Sequence, residues 1–401
     1  MIQFIVLGAT GSIGKQTLDI IREDKNLKLL GFSFKNNLNK SLEIIEEFKP
    51  KYVSLMNESH ESIIKDKYPN IKVFCGTKGL VNLVSVNEKF KIVNALVGSV
   101  GLEPTYYGIL NKKDILLANK ETLVVAGEII MSLAKENNVN IYPLDSEHSA
   151  IFQLLDDNNQ KEIRRLIITA SGGALRDYSR KELENVTKQE VLAHPNWQLK
   201  DVTVEMALKH PSWLMGKKIT VDCATMMNKG FEIIEAHYLF NVDIDNIEVL
   251  IHRSSIVHSM VEFNDYSICA QMASPDMHLP IHYAIYNKLH KKCDIIKQLP
   301  LDKLYHLSFE PLNNERYPLV AFAKQTLKKG GIYPCIMNAA NEAIVKLFLD
   351  GKANFTDIER IIKEEVNNPD YNIYNQKELT INTLLELDQL VKNNVYNRKV
   401  G

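Results

Sequence analysis

The stretch "IQFIVLGATGSIG", residues 2–14, predicts the fold of the N-terminal part of the chain. Its apolar run is unbroken up to Gly8, and Gly11 and Gly14 follow at three-residue spacing before a helical pattern. A continuous apolar run of this length is typical of a strand buried on both faces, as in a parallel sheet. Glycines at a strand-to-helix turn let the backbone approach a pyrophosphate, which the helix N-terminus then binds. The stretch predicts a dinucleotide-binding loop, and the alternative is a plain tight turn. The predicted cofactor contacts in the loop are Gly8, Thr10, Gly11, Ser12, Ile13 and Gly14.

The pattern continues outward from this loop. Helical patterns alternate with further apolar runs at 27–34, 51–56, 90–98, 114–119 and 140–145. Strands that alternate with helices predict parallel pairing through right-handed crossovers. We therefore expect a doubly wound Rossmann-type α/β domain over residues 1–145.

The rest of the chain has a different organisation. Strand-like runs separated by longer inserts lie at 162–173, 218–222, 247–252, 255–263 and 266–272. They predict a central α+β catalytic domain over residues 146–286. Residues 287–312 have an irregular pattern and are interpreted as a connecting segment. Helical periodicity returns in 313–401, which predicts a C-terminal helical bundle.

Bulk composition excludes several classes of protein. The 401 residues carry a formal net charge of −1, so no strong field selects nucleic acid or an anionic membrane. No apolar run approaches the roughly 18 residues that span a bilayer, and no secretory signal pattern precedes the first strand. The five cysteines are scattered and never form CxxC, which favours a reducing, cytoplasmic compartment.

The end of the second predicted strand bears on cofactor choice. NAD sites usually place an acidic residue there to bind the ribose 2′-hydroxyl. This chain reads "GFSFKNN", and Lys35, Asn36 and Asn37 follow the strand without an acid. We therefore expect a 2′-phosphate and hence NADPH, unless Lys35 is only a solvated loop lysine.

Acidic residues follow the last strand of the predicted sheet. Asp145 and Glu147 lie in "LDSEHSAIFQ", at the carboxyl edge where α/β proteins bind ligands. "TMMNKGFEIIEA" offers a third carboxylate, Glu232 or Glu235, and oxygen ligands of this kind suit Mg²⁺ or Mn²⁺. The alternatives are a solvated edge or an aspartate that caps the next helix.

Two glycine-containing turns predict a phosphate site. "TASGG" contains Ser171, and "DCATMMNKG" contains Asn228 and Lys229. Hydroxyl, amide and ammonium groups around glycine suit a phosphate monoester. Two ordinary strand-to-helix turns are the alternative reading.

These motifs together resemble one enzyme family. "GATGSIG", "LANKETLV", "PLDSEHSAIFQ", "ASGGALR", "HPSWLMGKKITVDCATMMNKGFEIIEA", "IHRSSIVHSMV", "SPDM" and "NAANEA" occur in the same order as in 1-deoxy-D-xylulose 5-phosphate reductoisomerases, and the resemblance covers essentially the whole chain.

The resemblance implies a role for individual side chains. The metal ligands are Asp145, Glu147 and Glu232, which leaves Glu235 as a helix residue. Asn119 and Glu121 border the nicotinamide. Implied substrate contacts are Lys120, Ser146, Ser171, His210, Cys223, Asn228, Lys229, Glu232, Ser255, His258 and Met277. The resemblance gives direct catalytic roles to Lys120, Asp145, Glu147, His210, Trp213 and Glu232. Cys223 stands where the family usually has serine, so one phosphate contact should be weaker.

The resemblance also implies a reaction. A phosphorylated ketose is rearranged by retroaldol and aldol steps and then reduced by NADPH to 2-C-methyl-D-erythritol 4-phosphate, with Mn²⁺, Mg²⁺ or Co²⁺ as Lewis acid. The family is homodimeric. A semialdehyde-type NADP-dependent dehydrogenase and a non-catalytic NADP-binding sensor are the alternatives. The acids at 145, 147 and 232 argue against the first, and the intact set of acids with Lys120 argues against the second.

A tandem repeat interrupts the family pattern. His-Pro-X-Trp occurs at 194–197 and again, 16 residues later, at 210–213. His210 precedes Cys223 by 13 residues (223 − 210), the family interval, whereas His194 follows Ser171 at close to the family interval. We expect a 16-residue insertion within a flexible lid at about 186–217, with His210 and Trp213 as the working pair and His194 and Trp197 in an idle surface extension.

Overall fold

The computed structural model describes residues 1–155, 159–178, 202–304 and 306–398. The chain divides into two compact units, and each is built from separate segments of sequence. The first unit comprises Met1–Leu123, Gly127–Gln153 and Asp276–Leu299. The second comprises Val124–Ala126, Leu154–Pro275 and Pro300–Gly401.

A parallel sheet forms the centre of the first unit, with seven strands within the described residues. Its strands are β1 (Ile2–Leu7), β2 (Leu27–Phe34), β3 (Tyr52–Leu55), β4 (Lys72–Cys75), β5 (Lys91–Asn94), β6 (Ile115–Leu117) and β7 (Ile141–Pro143). Their order across the sheet is β4-β3-β2-β1-β5-β6-β7. The order reverses between β1 and β5, and such a switch point opens the crevice where doubly wound folds bind ligands.

Helices that lie wholly or mostly in the first unit follow its strands. They are α1 (Ser12–Glu23), α2 (Leu38–Phe48), α3 (Glu61–Lys67), α4 (Gly76–Val84), α5 (Leu102–Leu110), α6 (Lys120–Glu136), α7 (Ser146–Leu154) and, much later in the sequence, α11 (His278–Ile285). Helix α1 buries Leu18, Ile20 and Ile21 in a core with Phe4 and Val6 of β1. Helix α11 adds Ile281 and Ile285 to that core, so a distant segment completes the unit.

A mixed sheet lies in the second unit, with five strands in the part of the chain that the structure describes. The strands are β8 (Ile163–Ala170), β9 (Ile247–Ile251), β10 (Val257–Phe263), β11 (Ile268–Met272) and β12 (Glu310–Pro311). Their order is β11-β10-β8-β9-β12. Strands β8 and β9 are parallel, and the other pairs are antiparallel. The end of β8 therefore points the same way as the end of β9.

The remaining helices also belong to the second unit. They are α8 (Val204–Leu208), α9 (Lys217–Thr225), α10 (Met227–Phe240), α12 (Pro318–Lys329), α13 (Tyr333–Leu349), α14 (Phe355–Val366) and α15 (Ile381–Tyr396). Helix α13 is buried along most of its length and packs against α14 and α15. Its apolar residues form the centre of the C-terminal helical bundle.

The α/β fold class with a Rossmann-type sheet and a C-terminal helical region is confirmed. The strand predicted at 218–222 is wrong, because those residues lie in α9. Ile219, Thr220 and Val221 have β-branched side chains that favour strands, but Thr220 and Val221 are buried on one face of a helix. Strand β4 was not predicted. No helix among the described residues is long and apolar enough to cross a membrane.

Candidate active site

The glycine loop after β1 has the geometry of a phosphate-binding turn. Gly8 has φ +81°, and a Cβ there would lie 2.8 Å from the Ala95 carbonyl oxygen. A Cβ at Gly14 would lie 2.4 Å from the Gly8 carbonyl oxygen, so only glycine lets α1 approach β1 this closely. Among the described residues, no side chain caps α1 at Gly11. The first-turn amides of Ser12 and Ile13 therefore fit a pyrophosphate.

The residues after β2 are exposed, as a recognition loop requires. Lys35, Asn36 and Asn37 are all solvent-exposed, and β2 lies directly beside β1 in the sheet. The Asn37 side chain caps α2 by accepting a hydrogen bond from the Lys40 amide at 3.1 Å. The side-chain oxygen of Asn37 is therefore occupied by the cap of α2. Lys35 remains the main candidate for binding a 2′-phosphate.

Three predicted residues form the start of α6. Asn119 is fully buried and caps the helix, and its amide group donates to the carbonyl oxygens of Leu96 (3.0 Å) and Gly98 (2.9 Å). It also donates to the Glu121 carboxylate at 3.0 Å. These contacts fix the turn from which the Lys120 side chain extends.

Lys120 reaches the predicted metal ligands of the same unit. Its Nζ lies 2.6 Å from Oδ2 of Asp145, and both side chains are mostly buried. Asp145 Oδ1 accepts the Ser146 amide at 2.9 Å, and the Ser146 hydroxyl donates to the Glu147 carboxylate. Asp145, Ser146, Glu147 and Lys120 are therefore brought together just beyond the carboxyl end of β7. Two carboxylates this close together fit a hard divalent cation, and Lys120 offsets part of their negative charge.

Ser171 begins a tight turn at the end of β8 in the second unit. Gly172 and Gly173 have φ +90° and +75°, a conformation that glycine adopts readily. A Cβ at Gly173 would lie 2.3 Å from the Cys223 carbonyl oxygen. The turn therefore packs directly on the last residues of α9, which brings Ser171 and Cys223 into one neighbourhood.

The His210 side chain contacts this turn at Ser171. Its Nδ1 accepts the Trp213 amide at 3.0 Å and the Ser212 amide at 3.2 Å, so the proton of the neutral ring is on Nε2. Nε2–H then donates to the Ser171 hydroxyl at 3.0 Å. Burial, followed by the charges of Arg176 and Lys229, lowers the pKa of His210 to about 4. His210 is therefore neutral at physiological pH.

Glu232 lies one turn into α10, beside two predicted phosphate ligands. Its carboxylate accepts hydrogen bonds from the Asn228 amide group and from Lys229 Nζ, the latter at 2.7 Å. All three residues are at most 5% exposed. Glu235 is buried as well, so burial does not separate the two glutamates. The contacts with Asn228 and Lys229 favour Glu232.

The other predicted substrate contacts lie in both units. In the second unit, Ser255 is buried with φ +55°, and His258 lies on β10 with its ring centroid 6.3 Å from that of Trp213. Met277 belongs to the first unit, where it packs against the hydrophobic core beside α11. His194 and Trp197, the first copy of the repeated motif, lie outside the described residues.

Arg176 is a residue that sequence reasoning missed. Its guanidinium donates to the carbonyl oxygens of Ser171 (3.1 Å) and Arg253 (3.2 Å), and its charge acts on His210. The sequence contains a signal for a role of Arg176 at the site, because Arg176 ends the "ASGGALR" motif. Its position against the backbone of the turn is not readable from spacing.

Family models match most of the chain. The model described as 1-deoxy-D-xylulose 5-phosphate reductoisomerase matches residues 4–127. The C-terminal domain model of the same reductoisomerase matches 141–201 and 198–240, and a further DXP reductoisomerase C-terminal domain model matches 272–394. Each of the two overlapping segments contains one copy of His-Pro-X-Trp, as a tandem insertion predicts.

Relatives and solved structures agree with these matches. A 1-deoxy-D-xylulose 5-phosphate reductoisomerase of Macrococcus caseolyticus is 47% identical over 394 residues, covering 98% of each chain. One of Clostridium botulinum is 45% identical and covers 96% of each. A crystal structure of DOX-P reductoisomerase in complex with NADPH, fosmidomycin and magnesium is 32% identical with a TM-score of 0.90, covering 99% of this chain and 98% of that one. The Zymomonas mobilis enzyme in complex with NADPH is 33% identical with a TM-score of 0.83, covering 98% and 97%. The chain belongs to the 1-deoxy-D-xylulose 5-phosphate reductoisomerase family.

Proposed function

We propose that this chain converts 1-deoxy-D-xylulose 5-phosphate to 2-C-methyl-D-erythritol 4-phosphate with NADPH and a divalent cation. The observation that carries the proposal is the cluster of Asn228, Lys229 and Glu232. The proposal is supported by the direct contact of two proposed phosphate ligands, Asn228 and Lys229, with a proposed cation ligand, Glu232. A substrate that carries both a phosphate and chelating oxygens matches this pairing.

The cofactor-binding residues are those of the glycine loop and of the β2 end. The open amides of Ser12 and Ile13 bind the pyrophosphate, and Lys35 binds the 2′-phosphate. Asn119 and Glu121, fixed to each other at 3.0 Å, border the nicotinamide. The positive φ of Gly8 and the close approach of Gly14 to the Gly8 carbonyl oxygen support the assignment of the pyrophosphate to this loop.

Asp145, Glu147 and Glu232 hold the cation, which can be Mg²⁺, Mn²⁺ or Co²⁺. When bound, the cation supplies Lewis acidity toward the substrate oxygens, and the nicotinamide supplies the hydride. Lys120 donates a hydrogen bond to a substrate oxygen from its place beside Asp145. Ser146 orients Glu147 through its hydroxyl and contacts the substrate from the same side.

The phosphate is bound by Ser171, Cys223, Asn228 and Lys229. Since His210 Nε2–H donates to the Ser171 oxygen, the Ser171 hydroxyl proton is directed away from His210 and toward the phosphate. Neutral His210 adds no charge to the site, and its contact with the Trp213 amide couples the phosphate turn to the residues that cover the substrate. Ser255, His258 and Met277 complete the substrate contacts.

Product identification tests this proposal. The purified chain is incubated with 1-deoxy-D-xylulose 5-phosphate, NADPH and Mg²⁺, and the product is identified by NMR and mass spectrometry. We expect 2-C-methyl-D-erythritol 4-phosphate and an equal amount of NADP⁺. Reduction of the ketose without skeletal rearrangement would instead indicate a simple dehydrogenase.

We also propose that the chain is a homodimer. Strand β11 is an edge strand of the described part of its sheet, and it exposes Ile268 (52%) and Met272 (39%) beside Tyr266 (70%). Exposed apolar edge strands of this kind are usually covered. A second copy is the occupant we propose, and Ile268→Lys should shift the mass measured by light scattering from dimer toward monomer. A wild-type monomer at micromolar concentration would contradict the proposal.

Two further proposals concern location and organisation. All five cysteines are free thiols, which supports a reducing, cytoplasmic location. Along the sequence, we assign cofactor binding to 1–145, catalysis and substrate binding to 146–286, connection to 287–312 and a helical domain to 313–401. Limited proteolysis followed by mass spectrometry would test these boundaries.

A further inference from the structure

The turn that begins at Ser171 continues to residue 178, and a distant segment of the same unit holds its main chain. We call residues 308–317 the brace. Arg316 of the brace donates from Nε to the Tyr178 carbonyl oxygen (2.7 Å) and from Nη2 to that of Leu175 (2.9 Å). The neighbouring Tyr317 hydroxyl donates to the Gly172 carbonyl oxygen at 3.2 Å. Two consecutive side chains thus bind three carbonyl groups of one turn.

The brace also holds the turn at 252–255, which contains the predicted substrate contact Ser255. His252 is fully buried, and its Nδ1 donates to the Ser308 carbonyl oxygen at 2.7 Å. Its ring stacks on Phe309, with ring centroids 4.6 Å apart and planes inclined by 18°. Because a carbonyl oxygen only accepts, Nδ1 of His252 carries a proton, and Nε2 lies 2.8 Å from the Ser254 hydroxyl oxygen.

The two turns are joined to each other as well. Arg253 donates to the Asp177 carboxylate at 2.6 Å, and Arg176 donates to the Arg253 carbonyl oxygen at 3.2 Å. Arg253 also binds Glu310 of the brace at 2.8 Å. The brace and both substrate-facing turns therefore form one hydrogen-bonded network.

This network holds the 171–178 turn in one conformation. Gly172 and Gly173 make the turn conformationally free, so ordering it around a phosphate costs entropy unless other contacts hold it in advance. Arg316 satisfies two carbonyl groups with one planar guanidinium, which stacks on the Tyr317 ring at 4.4 Å from the centroid. Neither side chain is among the predicted substrate ligands.

We propose that Arg316 and Tyr317 are positioning residues for substrate phosphate, acting through the main chain of the 171–178 turn. The proposal rests on the proposed function, since the phosphate is that of the ketose substrate. Arg316 and Tyr317 set how well Ser171 is pre-organised, and so they govern substrate affinity more than the chemical step.

Steady-state kinetics of Arg316→Ala test the proposal. We expect KM for 1-deoxy-D-xylulose 5-phosphate to rise about tenfold while kcat changes by less than about threefold, since two hydrogen bonds to the turn are lost. Added guanidinium at low concentration should lower KM again by occupying the vacated space. Tyr317→Phe, which removes only the hydroxyl group, should raise KM by about threefold.

Arg360→Ala is the matched control, because Arg360 also makes two side-chain contacts, with Asp357 and Glu364, but on α14. Its KM should equal that of the wild type. A wild-type KM for Arg316→Ala, or a loss of kcat and thermal stability that guanidinium does not rescue, would overturn the proposal. A wild-type chain without turnover would instead contradict the proposed function.

Discussion

At the scale of single residues, Cys223 stands at a predicted phosphate contact where the family resemblance implies a serine. The structure places its carbonyl group against Gly173, next to Ser171. A thiol is a weak hydrogen-bond donor, whereas a hydroxyl is a strong one. The departure is therefore expected to weaken substrate binding without changing the fold.

Cys223→Ser should lower KM for the ketose phosphate by a few fold, because one neutral hydrogen bond is worth about 1 kcal/mol. Initial-rate kinetics at saturating NADPH measure the effect. Cys293→Ser, at a partly buried cysteine outside the predicted site, serves as the control. An unchanged KM for Cys223→Ser would place the thiol away from the phosphate.

His210 should make stability depend on pH. Its pKa is about 4 in the folded chain, below the ordinary 6.5, so the unfolded chain binds more protons between these values. The free energy of unfolding should therefore fall as pH decreases from 6.5 to 4, and His210→Gln should lose less over that window. Urea unfolding of both proteins at about pH 7 and about pH 5 measures the difference. Parallel losses in both proteins would show that the ring is not protected from protonation.

At the scale of elements, the β1 strand, its glycine loop and α1 form the best-predicted part of the molecule. The burial of β1 and the spacing of its glycines both follow from local sequence. Strand β4 and helix α9 were harder to predict from the sequence. Strand β4 is short and not strongly buried, and α9 contains a β-branched run whose burial within the second unit outweighs its local preference.

Gly14→Ala should abolish NADPH binding and destabilise the chain. The added methyl group would lie 2.4 Å from the Gly8 carbonyl oxygen and 2.5 Å from Ala9 Cα, both backbone atoms that cannot move aside cheaply. Quenching of protein fluorescence by NADPH and a thermal melt would measure the two effects. Gly216→Ala is the control, since a Cβ there meets nothing within 4 Å among the described atoms. Normal NADPH affinity in Gly14→Ala would mean that α1 can shift without cost.

The repeated His-Pro-X-Trp motif is the element that sequence alone left ambiguous, because each copy matches one family interval. The structure places His210 on Ser171 and Trp213 beside His258, and the first copy lies outside the described residues. Trp213→Ala should depress kcat/KM by at least about tenfold, whereas Trp197→Ala should change it by less than about threefold. Reversed effects would mean that the first copy covers the substrate, and two severe losses would mean that the copies cooperate.

At the scale of the whole molecule, the family and the reaction were predictable because long motifs occur in order along the entire chain. The contacts that hold the predicted site residues in place could not be predicted from the sequence. Lys120 with Asp145, Arg176 with the Arg253 carbonyl oxygen, and Arg316 of the brace with Tyr178 join residues far apart in sequence. Such contacts depend on where loops end in space, which periodicity and motif spacing do not encode.

Cofactor selectivity is a property of the cofactor-binding unit as a whole. Lys35 is exposed just after the end of β2. The "GFSFKNN" stretch contains no acidic residue at the position where NAD enzymes bind the ribose 2′-hydroxyl. NADPH should be preferred to NADH by at least about tenfold in kcat/KM, and Lys35→Ala should reduce that preference. Equal kcat/KM values for the two cofactors would show that Lys35 does not bind the 2′-phosphate.

We propose that this chain couples cation-dependent rearrangement to NADPH oxidation. The most direct test is the initial rate of NADPH oxidation with 1-deoxy-D-xylulose 5-phosphate, measured with Mn²⁺ and with excess EDTA, for the wild type and for Glu232→Gln. We predict turnover only with the cation, no turnover in EDTA, and a loss of at least about a hundredfold in kcat for Glu232→Gln. Full activity in EDTA, or an unchanged kcat for Glu232→Gln, would contradict this coupling.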